Sequence, residues 1–404
     1  MNTPELFSAA LGLSSPWHVE SVRFDEGASA LVMHLDFKRG SRFSCSKCGE
    51  EGCAIHDTLT RSWRHLDFFQ HTATIHARVP RTKCPNCGVH QVTLPWARPN
   101  SGFTLLFEAL VVQLAKHMPI KPLAVQMRVD DKQLWRILEH YVNDGVSRID
   151  CSDTKVVGID ETSARKRHDY VTLFYDMEAR RLLYITEGKD AETIEDFDQF
   201  LWDHDGNGNN VLEVSCDMSP AFMKGIGEHL ERAQITFDRF HVAKLLTDAV
   251  GEVRKAESKN NAKIKGSMYL WITNPENLTK SQLLRLEDLK KIDSPLVEAY
   301  RLKEGLRRLY EQETFADAEG FLRAWVADAL SSGIEPIMRA ARTISKHAQG
   351  ILRWQVSRIT NGVMEGINSL IQAAKRKARG YRSTRILRII AYLIAGRLDL
   401  RLPT

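Results

Sequence analysis

VVGIDETSARKRHDYVTLFYDM, residues 156–177, predicts a strand that carries an acid, a short basic turn, and a second strand running back beside the first. Val156, Val157, Gly158 and Ile159 form an apolar run ending at Asp160. Such a run, bounded by polar residues, marks a buried strand. A carboxylate at its end is costly unless it meets a cation or hydrogen-bond donors. Asp160 therefore needs a partner. An aspartate that only caps the next turn would give the same local pattern, so the elements that follow must decide.

Working outward, YVTLFYDM and RLLYITEG read as two further strands joined at Glu178-Ala179-Arg180, and DAETIEDFDQFLWDHD as a helix beginning at Asp190. NVLEVSCD is a buried strand ending in Asp217; PAFMKGIGEHLERA is a helix, and QITFD a last strand. Three meandering strands, a helix, then strand-helix-strand is the element order of the ribonuclease H-like fold, in which the first strand lies beside the fourth. Asp160 and Asp217 then sit on neighbouring strands, where mutual repulsion favours divalent Mg or Mn held by oxygen ligands. Glu161 follows Asp160 and points to the other strand face.

A third carboxylate is expected from a helix crossing the sheet edge. Residues 241–345 instead read as an all-helical insertion, after which TNGVMEGINSLIQAAKRKARGYRS opens a helix at Asn361 and Gly362. Glu365 lies in its first turn, with Asn368, Gln372 and Arg376 along one face. The helix dipole alone also favours an acid there, but an acid followed on one face by amide and guanidinium groups suits metal binding next to phosphates. Lys375, Arg376, Lys377, Arg379, Arg382, Arg385 and Arg388 place seven cations within fourteen positions with few acids between them, which suits phosphate contacts. Trp271 and Trp354 are candidates to stack on an unpaired base, though core positions suit both better.

Toward the N-terminus, WHVESVRF and ALVMHLDF alternate around Asp25-Glu26-Gly27, a hairpin signal. Cys45-Ser-Lys-Cys48-Gly49 and Cys84-Pro-Asn-Cys87-Gly88 follow. Two knuckles, each with glycine after its second cysteine, let backbone amides turn toward the thiolates and predict a four-cysteine structural zinc site. The long gap between the pairs is accounted for by WRHLDFFQHTATIHARVPR, read as a two-stranded ribbon. Cys53 and His56 are rival ligands, His56 better suited to a local hydrogen bond, and a redox dithiol would explain one pair but not two. Helices are then predicted over 103–118 and from Lys121, with Asp130 capping a third. Lys132, Gln133, Trp135 and Arg136 near the start of that third helix fit a helix-turn-helix whose second helix enters the major groove, Gln133 and Arg136 reading bases. A plain three-helix packing module would share this pattern.

The 404 residues, with 43% hydrophobic content, suffice for two to four domains with real cores. Lys+Arg of 56 against Asp+Glu of 51 gives +5, a mild excess that permits a polyanion partner without requiring one. No apolar run reaches a membrane span and no signal-peptide pattern opens the chain, so a cytoplasmic protein is expected.

Taken together, these residues resemble the bacterial insertion-sequence transposases of the DDE class, in the ISL-three family. The resemblance spans nearly the whole chain: Cys-x-x-Cys-Gly twice, the helix-turn-helix, Val-Gly-Ile-Asp160-Glu161, Cys216-Asp217, Asp238-Arg-Phe-His241-Val, Asn361-Gly362-Val-Met-Glu365-Gly366 and Gly380-Tyr381-Arg382. It implies a catalytic triad at Asp160, Asp217 and Glu365, and a core-insertion motif at Asp238 and His241. It also implies two Mg2+ or Mn2+ ions that activate water and stabilise the leaving 3′ oxygen. The implied partners are the terminal inverted repeats and target DNA, bound by a homodimer or larger synaptic complex on the nucleoid. The domains expected are a β-hairpin and zinc-binding domain (1–98), a helix-turn-helix (99–150), a ribonuclease H-like core (151–240 and 346–404, ending in basic helices) and a helical insertion (241–345). A zinc-dependent DNA-binding regulator, or a ribonuclease H-like nuclease without strand transfer, remain the alternatives.

Overall fold

The computed structural model describes residues 2–163 and 170–403; the predicted basic turn lies outside the described residues. The chain forms two units, Met1–Gly145 with Asp399–Thr404, and Val146–Leu398.

In the first unit, helix α1 (Thr3–Ala10) precedes strands β1 (Trp17–Asp25), β2 (Ala30–Phe37), β3 (Ala54–Phe68), β4 (His71–Cys84) and β5 (Gly88–Gln91). They form one sheet in the order β1-β2-β4-β3, with β5 paired to β4. β1 and β2 make the expected hairpin, and β3–β4 is the ribbon filling the gap between the cysteine pairs. The ribbon starts at Ala54, earlier than the Trp63 suggested by its apolar residues. Alternate residues of β2 and β4 turn inward, where Met33, Ile75 and Val79 pack with Trp17, Trp63 and Trp96. Burial of that single face selects the register.

Helices α2 (Leu105–Ala115), α3 (Ile120–Met127) and α4 (Asp131–Val146) follow. Pro122 does not break a helix; it sits in the first turn of α3, where a missing N–H costs nothing. Arg128 ends α3 in the left-handed region, and the Asp130 carboxylate accepts the Lys132 N–H at 2.8 Å, the cap expected for α4. Glu108, fully buried, accepts hydrogen bonds from Arg98 Nε at 2.8 Å, Ser101 Oγ at 2.7 Å and Tyr141 OH at 3.1 Å. A buried carboxylate is tolerable when so partnered.

The second unit is built on β6 (Val156–Ser163), β7 (Tyr170–Asp176), β8 (Arg181–Glu187), β9 (Glu213–Cys216) and β10 (Gln234–Phe237), in the order β10-β9-β6-β7-β8. β6, β9 and β10 are mutually parallel, and β7 and β8 antiparallel. The Asp176 carboxylate holds the β7–β8 turn by accepting the Ala179 N–H at 2.8 Å. Helices α5 (Glu192–Trp202) and α6 (Pro220–His229) join the strands; Phe197 of α5 stacks on Phe174 at 4.3 Å, so α5 covers the sheet face to which Ile159 and Phe174 point.

After β10 the chain is helical: α7 (Arg239–Glu257), α8 (Met268–Ile272), α9 (Lys280–Leu289), α10 (Pro295–Arg307), α11 (Phe315–Ser331), α12 (Glu335–Lys346), α13 (Ala348–Leu352) and α14 (Trp354–Ser357). Trp271 and Trp354 are buried here, their indole N–H groups donating to Ser267 Oγ at 2.9 Å and Ile359 O at 3.0 Å. Both are core residues, as their better-suited reading required. α15 (Gly362–Lys377) and α16 (Thr384–Ala395) return to the sheet, where Tyr392 of α16 donates to Leu183 O at 3.0 Å. Gly158 lets α15 approach β6, because a Cβ there would lie 2.4 Å from Met364 Sδ. Among the described residues, no helix is long and apolar enough to cross a membrane.

Candidate active site and zinc centre

Three parallel strands deliver acids to one edge. Gly158 pairs with Ser215 and Cys216 with Phe237. Two residues on from the first pair and one from the second, Asp160, Asp217 and Asp238 follow in a row, Asp217 and Asp238 just past the ends of β9 and β10 and Asp160 within β6, two residues beyond its last pairing with β9. The Asp217 carboxylate accepts the Ser219 N–H at 2.9 Å. Asp238 caps α7 by accepting the Phe240 N–H at 2.7 Å, and its second oxygen meets His241 Nδ1 at 2.9 Å.

α15 lies along this edge. Asn361 Oδ1 accepts from Ser215 Oγ at 3.1 Å, Asn368 Nδ2 donates to Asp160 Oδ2 at 2.5 Å, Gln372 Nε2 donates to Thr162 Oγ1 at 2.5 Å, and Lys375 Nζ donates to Ser163 O. Of the face read from the sequence as Glu365, Asn368, Gln372 and Arg376, Asn368 and Gln372 meet β6; Glu365 and Arg376 are exposed, and Lys375 makes the next contact instead. Asn368 Oδ1 also accepts from the buried Tyr175 hydroxyl at 2.6 Å. Glu365, one turn above Asn368, is exposed and lines a cavity of about 250 Å³ with Ser215, Asp238, Phe240 and Asn361.

Electrostatics follow this crowding. Burial pushes the Asp160 carboxyl above its ordinary value; the amide of Glu161 and the charge of His241 oppose the shift and the charge of Asp238 adds to it. Burial, then the charge of Asp217, raises Glu161 as well. The bond to Asp238 raises His241 against burial, and the charges of Asp217 and Asp160 contribute. Each Asp160 oxygen takes one hydrogen bond, from Glu161 N–H and from Asn368, which leaves lone pairs on both oxygens. A charge disfavoured by its surroundings, hard oxygen donors and spare lone pairs fit a divalent cation. Asp160, Asp217 and Glu365 do not form a cluster as tight as that of the cysteines described next.

Among the described residues, Cys45, Cys48, Cys84 and Cys87 are the one group of three or more possible ligands whose atoms all lie within 4.8 Å of one another. Cys48 Sγ and Cys84 Sγ are 3.6 Å apart. Gly49 and Gly88 have φ of 79° and 85°, the left-handed turn expected after each pair. Amide N–H groups of Cys48 and Lys47 point at Cys45 and lower its thiol to about 6. The buried Cys53 thiol instead donates to Glu50 O at 3.4 Å, and His56 pairs with Asp57 at 3.3 Å, so neither joins the four.

Three family models match the chain in order: a zinc-finger of transposase IS204/IS1001/IS1096/IS1165 over residues 41–87, a helix-turn-helix domain of transposase family ISL3 over 92–142, and the ISL3-type DDE model described as "Transposase" over 157–391. The chain belongs to the ISL3 family of DDE transposases. It is thus a DNA-binding enzyme of the class that cuts DNA and transfers the strands, and its four cysteines form a zinc-ribbon centre. A regulator made of the first two parts alone would lack the third match. Relatives include the transposase for insertion sequence element IS1001 of Bordetella parapertussis, 27% identical over 84% of this chain and 85% of that protein. The transposase for IS1557 of Mycobacterium tuberculosis is 27% identical over 98% of this chain and 96% of that protein.

For the ISL3 transposase, Lys132, Gln133 and Arg136 are exposed on the first turns of α4, with Gln133 Oε1 accepting the Asp130 N–H at 3.2 Å. Arg376, Lys377, Arg379 and Arg382 are exposed at the end of α15 and beyond, while Lys375 is half-buried against β6. The sequence reading passed over Arg239 and Phe240. The Arg239 guanidinium lies 4.3 Å from the Tyr310 ring centre and 4.8 Å from that of Trp354. Phe240 is 60% exposed beside Asp238. The one sequence signal was their position inside the Asp-x-x-His stretch.

Proposed function

We propose that this transposase cuts at the terminal inverted repeats of its insertion sequence and joins the freed ends to target DNA, with Asp160, Asp217 and Glu365 as the catalytic carboxylates. The observation carrying this reading is the row of acids across neighbouring parallel strands, Asp160 within β6 and Asp217 and Asp238 just past β9 and β10, with α15 bonded along β6 so that Glu365 sits one turn above the Asn368–Asp160 contact. The strand order β10-β9-β6-β7-β8 supports a ribonuclease H-like core at 151–240 and 346–404, interrupted by a helical insertion at 241–345, behind a zinc-binding domain at 1–98 and a helix-turn-helix at 99–150.

The three carboxylates would hold Mg2+ or Mn2+, which when bound activates water or a 3′-hydroxyl and stabilises the leaving oxygen. Asn368 fixes the Asp160 carboxylate, and Asp238 ties the start of α7 to the strand ends through His241. The cations from Lys375 to Arg382 take phosphates, positioning DNA, and Lys132, Gln133 and Arg136 contact the end sequence. Cutting two ends together calls for a homodimer or larger synaptic complex, working on the nucleoid.

The test is incubation of the purified protein with labelled DNA carrying its element's ends, with Mg2+ or Mn2+, for wild type and Glu365→Gln. Cleavage and joining by wild type, both lost in the variant, are expected. Equal activity in the variant removes Glu365 from the triad, and cleavage without joining points to a nuclease.

A further inference from the structure

Phe240 is an anomaly that the cutting chemistry leaves unused. It is 60% exposed in the first turn of α7, with its backbone N–H held by Asp238. Its ring borders two cavities. One is the 250 Å³ space beside Glu365; the other, about 450 Å³, opens among Val242, Leu246, Leu306 and Tyr310. Arg239 borders both. Its guanidinium rests against both the Tyr310 and Trp354 rings, which pack edge-to-face on each other at 5.4 Å, and among the described residues no carboxylate lies within ion-pair distance of it. Lys303 and Arg307, which also line the larger cavity, are by contrast paired with Glu304 and Glu276, and Glu311 is a further acid on that lining.

We propose that the larger cavity receives one unstacked nucleobase of the strand being cut, Phe240 supplying the stacking face and Arg239 the contact to the adjoining phosphate. The inference rests on reading Asp160, Asp217 and Glu365 as the cutting site. The chemistry suits a nucleotide: Val242, Leu246 and Leu306 with the exposed Phe240 ring offer an apolar surface to a planar base, and Thr247 and Asn274 on the same lining offer hydrogen bonds to its edge. A cation held by two rings and lacking a counter-charge accepts the phosphate. Arg239 and Phe240 line both this cavity and the smaller one that holds Glu365 and Asp238, so a base lodged in the larger cavity would have its phosphodiester on the side of the acids. Packing against Tyr310 and Trp354 fixes the guanidinium before DNA arrives, which reduces the ordering cost of binding.

The full-length protein is mixed with an end duplex carrying 2-aminopurine at successive positions around the cleaved bond, without divalent ions. A fluorescence rise at one position, absent with Phe240→Ala and kept with Phe240→Trp, is expected. With Mn2+, Phe240→Ala should slow cleavage by about 5- to 150-fold, the range of a lost base-aromatic stack. An abasic nucleotide at the responsive position should bring the wild-type and variant rates together. No fluorescence rise at any position, while Glu365→Gln abolishes cleavage, overturns the pocket and leaves the triad reading standing. Full cleavage by Glu365→Gln removes the reading beneath it, whatever the fluorescence shows. A persistent rate difference on the abasic substrate also overturns the pocket, because Phe240 would then act on something other than a base.

Discussion

Asn368→Ala tests the link between α15 and the acid row. The substitution removes two bonds, Nδ2 to Asp160 at 2.5 Å and the acceptor for the Tyr175 hydroxyl at 2.6 Å. A hydrogen bond to a charged group contributes about 1.5–3 kcal/mol, and a buried hydroxyl left without a partner costs about 1–3 kcal/mol. Tyr175 is fully buried, so water does not replace the lost acceptor. Allowing for coupling between the two bonds, the loss is about 3–5 kcal/mol. At about 2–4 °C per kcal/mol for a unit of this size, the melting temperature falls by about 6–20 °C. Scanning calorimetry of the full chain reads this directly. Adding Tyr175→Phe should recover about 1–3 kcal/mol, because the orphaned hydroxyl goes with it. Removing a donor that favours the ionised carboxylate also raises Asp160 further, so the acid limb of the cleavage profile moves to higher pH. A melting temperature within about 2 °C of wild type, with an unmoved acid limb, would refute the bridge; the size expected follows from the bond energies used above.

Two further outcomes follow from named groups. His241 is raised in the folded state, chiefly by its bond to Asp238, so its stabilising contribution is full below about pH 6.5 and is lost as pH rises through the folded value. Thermal melts of wild type and His241→Gln should therefore differ most at about pH 6 and converge toward alkaline pH; a constant gap would place the effect in packing. Chelation or Cys84→Ser should remove zinc and the hydrogen-exchange protection of the ribbon, whereas Cys53→Ser, whose thiol bonds to Glu50 O, should keep about one zinc per chain by elemental analysis. Zinc loss in Cys53→Ser would make it a ligand.

What was legible in the chain was local. Cys-x-x-Cys-Gly needs only its own five residues to set its turn, and Asp130 needs only the amide two residues on, so both are legible without the fold. The alternation in β2 and β4 likewise records one buried face. Contacts of long range were not legible in the same way. Asp160 and Asn368 are separated by 208 positions, and helical periodicity could say that Glu365, Asn368 and Gln372 share a face but not which strand that face would meet. Gly158 looked like part of an apolar run, yet its missing side chain is what admits Met364 and brings α15 down on β6. The buried trio on Glu108 escaped notice for the same reason, since Tyr141 lies 33 positions away.

Aromatic residues show how residue type and burial combine. On sequence, Trp271 and Trp354 are candidates for base stacking but better suited to the core, and both are buried. An indole also carries an N–H that burial must satisfy, and once Ser267 Oγ and Ile359 O accept those bonds, burial of the rings is favourable. Phe240 has no polar atom to satisfy, and its neighbours fix its place: Asp238 needs the amide of residue 240 to cap α7, and Val242 and Leu246 take the inward face of that helix. The ring is therefore turned outward by the same cap that holds Asp238 at the end of β10. Its exposure is a by-product of helix geometry beside Asp238, and it puts an exposed aromatic ring on the cavity that Glu365 also lines.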